Sequence, residues 1–314
     1  MRHAPAVTAL IPTHNRAAVL RFAVRSVLAQ TFTDFELLVV GDGCTDDTAA
    51  VVAETGDARI RWLDLPKAPN FGYANRNHAL REARGELVAY LGHDDLWLPD
   101  HLELLVGLAR EHDAGFVASR GLLVSPDGTI RQHVMNLEDP AMMRRLLRGR
   151  EGFGPSTVVH RRDDLERFGY WDESLPRAGD IDLWMRLLRG NGGKAAYTPA
   201  PTSFHFVADW RAQTWRSKLL DGARRLDGAV PDELVVPVPP GRLEQEVIWE
   251  AIGADPEGFT ARIRRGARID TDRLARTEYP SSAVLLAWGM WRHFLGRRPG
   301  DIDKLESFRK SEPS

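Results

Sequence analysis

Four apolar runs of strand length, VTALI (Val7–Ile11), FELLVV (Phe35–Val40), IRWLDL (Ile60–Leu65) and ELVAYL (Glu86–Leu91), alternate with segments of helical periodicity. In the first such segment Val19, Phe22, Ala23, Ser26 and Val27 recur at helical spacing, and Leu20 and Val24 widen the face. Thr48–Glu54 and a stretch ending at Leu80 read the same way. Strand–helix–strand units of this length close as right-handed crossovers. The alternation therefore predicts an α/β fold, a mostly parallel central sheet flanked by helices.

After Asp100 the pattern gives a helix (HLELLVGLAREH), a hairpin through the PDG turn at Pro126–Gly128, and a helix around Asp139–Arg148. GPSTVVHRRDDLERFG reads as a short strand feeding a helix. IDLWMRLLRGNGG reads as an amphipathic helix with Ile181, Trp184, Met185 and Leu188 on one face, and TSFHFV as the last strand. From about Trp210 helical patterns dominate, broken by VPDELVVPVPPG. The expected division is a catalytic domain at 1–210 and a helical C-terminal extension at 211–314, with a proline-rich spacer at 230–241.

Composition removes several classes. A net charge of −2 gives no bulk field for nucleic acid. Cys44 is the only cysteine, which excludes an internal disulfide framework and suits a reducing compartment. No run reaches the roughly 20 apolar residues of a spanning helix, and MRHAPAVTALIPTHN lacks the marks of a signal peptide. These features point to a cytoplasmic protein.

Each strand run ends in a polar turn: PTHNR (Pro12–Arg16), GDGCTDD (Gly41–Asp47), NFGYANRN (Asn70–Asn77) and HDD (His93–Asp95). In a parallel sheet these turns share one edge, where open α/β sheets place their ligands. Asp42, between two glycines, can accept hydrogen bonds from a nucleobase or ribose. Thr45, Asp46 and Asp47 suit helix capping instead. Asp94 and Asp95 can hold a hard divalent cation, Mg²⁺ or Mn²⁺, while Asp100 is the better cap for the helix that follows. Arg76 reads as a phosphate or base contact or, more simply, a solvated helix arginine. Asp180 is either an N-cap or a general base at a helix entrance. Asp182 and Arg186 read as a surface pair, and His205 as a strand histidine or a metal ligand.

Taken together, LIPTHNR, QTFTDFELLVVGDGCTDDT, NFGYANRNHALREARGELVAYLGHDDLWLPDHL and GDIDLWMRLLRGN resemble the family-two inverting glycosyltransferases of GT-A fold, over residues 5–207. The resemblance implies a nucleotide pocket lined by Pro12, Thr13, Asn15 and Arg16, with Asp42 at the base and Arg76 assisting at the nucleotide. It implies Asp94 at the ribose or sugar, Asp95 as metal ligand and Asp180 as catalytic base. His205 matches loosely a histidine near the diphosphate in some relatives. Three positions depart from the pattern: Gly41 and Gly92 stand where many relatives have Asp, and Gly179 where Glu often precedes the base.

The activity so implied is transfer of a sugar from a UDP-, GDP- or dTDP-linked donor to a hydroxyl of a carbohydrate or glycoconjugate acceptor, with Mn²⁺ or Mg²⁺ as cofactor. A nucleotidyltransferase is the alternative enzyme, although PTHNR lacks the glycines of a triphosphate loop. A catalytically silent nucleotide- or carbohydrate-binding protein is the third reading. A Rossmann dehydrogenase is disfavoured, because no G-x-G-x-x-G follows the first strand. SSAVLLAWGMWRHFLGRR (Ser281–Arg298) reads as a peripheral contact with a membrane surface or as a helix packing on its own domain or a second copy.

Overall fold

A computed structural model describes residues 4–133, 135–149, 152–206 and 230–276. The chain divides into two compact units, one of residues 1–207 and 230–267, the other of 208–229 and 268–314.

The first unit begins with β1 (Val7–Thr13), α1 (Ala17–Leu28), β2 (Phe35–Asp42), α2 (Thr48–Ala53), β3 (Ile60–Leu65), α3 (Tyr73–Arg81) and β4 (Leu87–Tyr90). Next come β5 (Leu96–Trp97), α4 (His101–Glu111), β6 (Phe116–Val124), β7 (Ile130–Gln132) and α5 (Pro140–Leu147). β8 (Val158–Arg161), α6 (Asp163–Phe168), α7 (Gly179–Gly190) and β9 (Ala196–Phe206) follow. Two further helices are α8 (Glu244–Ala254) and α9 (Pro256–Arg276), the latter running on past the first unit.

The sheet order is β3-β2-β1-β4-β8-β6-β9-β5, with β7 paired to β6. The first four strands are parallel neighbours, as expected from the alternation; β8 enters antiparallel between β4 and β6. Successive side chains of a strand face opposite ways. Val7, Ala9, Ile11, Leu37 and Val39 therefore enter one core layer, against α1 and α4, while Leu10, Leu38 and Val40 enter the other, against α3 and α7. Burial on both faces explains why these strands read as unbroken apolar runs.

Four features differ from the sequence reading. First, β9 starts at Ala196, before Pro199 and Pro201, and its register with β6 shifts around Arg120. The irregularity tolerates the missing proline N–H groups, which otherwise signal a strand boundary. Second, β5 has only two residues, too few for a period. Third, α7 buries Leu183, Trp184, Leu187 and Leu188, whereas Ile181 and Met185 stay partly exposed. Fourth, the proline-rich segment is packed: Leu234 and Val236 are buried with Leu122, Phe204, Ile248, Phe259 and Ile263. A division at residue 210 thus does not coincide with the first unit, which takes in 230–267.

Among the described residues no helix is long and apolar enough to cross a membrane. The segment Ser281–Arg298 lies outside the described residues.

Candidate active site

β1 ends at Thr13 and β2 at Asp42, so the turns that follow them share the carboxyl edge of the sheet. Asn15 sits at φ 51°, a left-handed conformation that Asn tolerates better than most residues. Its Oδ1 accepts from the backbone N–H of Thr45 (2.7 Å) and of Asp46 (3.3 Å), which staples the first polar turn to the second. Arg16 donates its backbone N–H to Thr48 Oγ1 (3.2 Å), and its side chain is exposed. Of the three expected caps of α2, Asp46 bonds the Thr48 N–H, while Asp47 occupies the cap position without a side-chain bond. Thr13 Oγ1 is buried without a partner among the described residues.

Asp42 is 7% exposed, and three donors surround it. Oδ1 accepts from the Ala68 N–H (2.7 Å) and from Asn75 Nδ2 (2.7 Å), and Oδ2 from Lys67 Nζ (2.6 Å). Burial pushes its pKa up, but these hydrogen bonds and the Lys67 charge outweigh burial and hold the carboxyl below its ordinary range. Gly72, at φ +71°, packs against this carboxylate: a Cβ there would come within 2.7 Å of Asp42 Oδ2. The neighbouring Phe71, at φ 59°, presents a ring that is 66% exposed.

Arg76 lies partly buried on α3, its guanidinium 5.1 Å from the ring centres of both Tyr73 and Trp171. Those rings stack at 5.4 Å. Burial draws the Arg76 pKa down, while Tyr73, Asp180 and Asp42 act to raise it. Arg76 lies against two rings in the field of Asp180 and Asp42, and the solvated-helix reading of it does not hold. Tyr73 Oη accepts the N–H of Gly179 (3.0 Å) and so fixes the start of α7. Asp180 falls inside that helix; the cap position belongs to Ala178, at φ 58°. The Asp180 carboxylate accepts the Ile181 N–H (3.0 Å). Burial raises its pKa; the Ile181 N–H and Arg76 offset burial only in part, so the group remains above the ordinary carboxylate value. A buried carboxyl with a raised pKa meets a condition that a general base requires.

The third group follows β4. Asp95, 4% exposed, takes a hydrogen bond from Ser156 Oγ on Oδ2 and one from His205 Nδ1 (2.8 Å) on Oδ1. Burial works against its charge, but His205 and Ser156 outweigh burial and hold its pKa low. Asp94 is only partly buried, 4.0 Å from His93 Nε2. His93 Nδ1 in turn donates to the Pro12 carbonyl (3.1 Å), tying this turn to the end of β1. Asp100 does not cap α4 with its side chain; its carboxylate takes both Arg264 amino groups at 2.7 and 2.9 Å. Among the described residues no three His, Cys, Asp or Glu side chains form a metal cluster. The Asp95 oxygens, which accept from His205 and Ser156, keep further lone pairs, and a lone carboxylate is a donor that Mg²⁺ or Mn²⁺ would take with phosphate and water for the rest.

The three glycine departures have steric counterparts. A Cβ on Gly41 would meet the Trp62 indole at 2.4 Å, one on Gly92 would meet Asp95 Oδ2 at 2.8 Å, and one on Gly179 would meet the Tyr73 ring at 2.6 Å. Each side chain given up makes room for a neighbour of the site. Lys67, Tyr73, Asn75, Ser156 and Trp171 escaped the sequence reading. Tyr73 and Asn75 lie inside the quoted NFGYANRN turn, but Ser156 and Trp171 approach from distant segments with no local signal.

TarS 1-349 of S. aureus superposes with a TM-score of 0.54 at 17% identity, covering 87% of this chain and 92% of that one. A mannosyltransferase of Pyrobaculum calidifontis, PcManGT, solved with GDP-Man and Mn²⁺, superposes at 0.51 and 20% identity, covering 92% and 80%. Both carry the GT-A fold seen here. The UDP-Glc:alpha-D-GlcNAc-diphosphoundecaprenol beta-1,3-glucosyltransferase WfgD of Escherichia coli is 29% identical over 185 residues, 59% of this chain and 70% of that protein. An uncharacterized glycosyltransferase of Rickettsia felis is 29% identical over 202 residues, 60% of this chain and 32% of that protein. The chain spans less than two thirds of the length of the first Rickettsia glycosyltransferases it matches. The family model for glycosyl transferase family 2 matches residues 8–169, which take in both acidic turns and the Arg76 helix. On that match, over more than half of its length, the chain belongs to glycosyl transferase family 2.

Proposed function

We propose that this glycosyltransferase is an inverting enzyme, moving a sugar from a nucleoside-diphosphate sugar to a hydroxyl of a carbohydrate or glycoconjugate acceptor, with Asp180 as general base. The observation that carries the reading is the Asp180 carboxylate: poorly compensated, raised in pKa, at the start of α7 and coupled to Arg76. The acceptor oxygen attacks the anomeric carbon from the face opposite the diphosphate. As the new C–O bond forms, the bond to the diphosphate breaks, its electron pair leaves with the nucleoside diphosphate, and the hydroxyl proton passes to Asp180. One displacement of this kind inverts the anomeric centre. An alcohol is far more basic than a carboxylate, so proton transfer must accompany attack, and the raised pKa narrows the gap.

In this reading Pro12, Thr13, Asn15 and Arg16 line the nucleotide side, Asp42 faces the base, Asp94 the ribose or sugar, and Arg76 assists at the nucleotide. Asp95, with His205 beside it, would hold the divalent cation, which when bound supplies Lewis-acid stabilisation to the departing diphosphate. The names of the E. coli and P. calidifontis proteins, which mention UDP-Glc and GDP-Man, support a nucleotide-sugar donor. The test is the full chain incubated with a panel of nucleotide sugars and acceptors, with released nucleoside diphosphate and the anomeric configuration of product measured by NMR. Retention of configuration, or release of pyrophosphate instead, would overturn the reading.

A further inference from the structure

We infer that the segment 230–267, which lies beyond the family match at residues 8–169, holds the cation turn in place, with Gln245 as its positioning residue. The inference rests on the reading that Asp95 takes the divalent cation. Residues 93–100 follow β4, carry Asp94 and Asp95, pass through β5 and lead into α4. Segment 230–267 touches this stretch at its start, its middle and its end.

At the start Gln245, buried on the first turn of α8, donates Nε2 to the Asp94 carbonyl (3.2 Å). That carbonyl belongs to the peptide joining Asp94 to Asp95. The N–H of the same peptide donates to the Gly92 carbonyl (3.0 Å). A peptide is a rigid plane, so with both of its polar groups held its rotation is fixed, and the Asp95 side chain leaves the backbone in a set direction. In the middle Leu96 and Leu98, both fully buried, share an apolar cluster with Leu234, Val236, Ile248 and Ile252. At the end Asp100 takes the two Arg264 amino groups, a paired contact that fixes direction as well as distance.

Gln245 is the specific part of this arrangement. Leu96 and Leu98 would be as well buried against other apolar side chains, and Arg264 ties the end of the turn farther from Asp95. Gln245 instead carries an amide into a buried position where its Oε1 finds no partner among the described residues. A buried acceptor left unpaired costs stability, and an apolar side chain of the same length would avoid that cost. What the amide gains there is its bond to the Asp94 carbonyl. A small divalent cation demands near-ideal placement of its oxygen ligands, and groups that orient a ligand change metal affinity. Without the Gln245 bond the peptide plane turns more freely, and the Asp95 oxygens spread over a wider range of positions.

The experiment titrates Mn²⁺ into the full chain with UDP present, and separately with GDP, reading free Mn²⁺ by electron paramagnetic resonance. Wild type, Gln245→Met and Phe35→Leu are compared well below their melting temperatures. Met keeps the length and bulk of Gln and removes the donor. Phe35 is buried at the amino end of β2, away from the turn, so its variant controls for a general loss of stability. Expected is a Mn²⁺ dissociation constant raised severalfold, up to about tenfold, in Gln245→Met and unchanged in Phe35→Leu. Should Gln245→Met fail to fold, Gln245→Asn keeps an amide that is one methylene too short for the Asp94 carbonyl and should show the same rise. Unchanged Mn²⁺ binding in a folded Gln245 variant, or an equal rise in Phe35→Leu, overturns the positioning role while the cation site stands. If wild type binds no Mn²⁺ with either nucleotide, the cation reading of Asp95 itself fails and the inference falls with it.

Discussion

Two carboxylates, Glu36 at the amino end of β2 and Asp180 at the start of α7, are held in opposite ways. At the amino end of β2, Glu36 accepts from Thr8 Oγ1 (2.8 Å), the Arg84 N–H (2.6 Å) and Arg84 Nε (2.7 Å). Burial alone would raise its pKa, yet these bonds and the Arg84 charge bring it below the ordinary value. At the start of α7 Asp180 has one backbone N–H from Ile181 and the Arg76 charge, and its pKa is raised. Backbone strain follows the same division. Of the five non-glycine residues with left-handed φ among the described residues, Asn15, Asn70, Phe71 and Ala178 lie in loops of the candidate site, and only Asp113 lies before β6. A carboxylate with its full set of donors is a structural tie. One left short of donors, held by strained backbone, is free to exchange a proton.

Asp180→Asn breaks the comparison most directly. Amide for carboxylate keeps the shape and removes the base, and loss of general-base assistance should lower kcat by about 10²- to 10⁴-fold. Nucleotide affinity, measured by calorimetry, should persist. Stability should move the other way. A carboxyl whose folded pKa is raised contributes stability that is present at low pH and lost as pH rises through that raised value. At neutral pH the wild-type charge is therefore a burden, and the variant should melt at an equal or higher temperature. The wild-type pH–rate profile should show an acid limb, with kcat rising as pH passes the raised Asp180 value, above the range of an ordinary carboxylate. A neutral-pH rate equal to wild type in Asp180→Asn would return Asp180 to the role of helix-end residue.

Much of the candidate site was legible because parallel strands are buried on both faces, and such strands announce themselves as apolar runs ended by polar turns. Asp42 and Asp180 lie within one or two residues of a predicted strand or helix end, and Asp95 lies in the polar turn that follows the fourth predicted strand. Partners from other segments were not legible. Ser156 reaches Asp95 across 61 positions, and Tyr73 reaches Gly179 across 106, so no local spacing records either contact. The proline-rich segment misleads for a related reason. Prolines remove N–H groups but do not prevent burial, and Leu234 and Val236 pack against strands far away in sequence. His205 was ambiguous because a strand histidine and a metal-side histidine read alike, and its bond to Asp95 spans 110 positions that no local spacing records.

Arg76→Met tests whether the charge in the field of Asp180 and Asp42 matters to turnover. It keeps apolar bulk between Tyr73 and Trp171 but removes the cation, so kcat/KM should fall about tenfold or more. Loss of the Arg76 charge also raises the Asp180 pKa further, and the acid limb of the pH–rate profile should shift to higher pH. A drop in activity with an unmoved limb would separate Arg76 from Asp180.

Glu36→Gln probes the other carboxylate. Its effect belongs to stability, about 1–3 kcal/mol by denaturant midpoint, because a buried charged acceptor of three bonds is replaced by a neutral group. The sign with pH is opposite to that of Asp180. A carboxyl held low in the fold contributes stability fully present above its unfolded pKa and lost as pH falls through the lower, folded value. Wild type and Glu36→Gln should therefore converge in acid, with kcat per folded molecule equal throughout. A change in kcat without a change in midpoint would erase the distinction between the two carboxylates.

Tyr73→Phe carries the smallest expected effect and sharpens the comparison at its finest point. The hydroxyl accepts the Gly179 N–H ahead of Asp180, while the ring stacks on Trp171 and lies under Arg76. Removing only the oxygen preserves both ring contacts and leaves one helix-end N–H without its acceptor, a loss of about 1 kcal/mol. If the bond serves stability alone, the melting temperature should drop slightly and kcat should hold. If it positions the base, kcat should fall severalfold while donor KM stays constant, because the first turn of α7 then samples orientations in which Asp180 misses the acceptor hydroxyl. The strained Ala178 immediately before Gly179 favours the second outcome: a left-handed residue is kept only where surrounding contacts over-determine it, and the Tyr73 bond is one of those contacts.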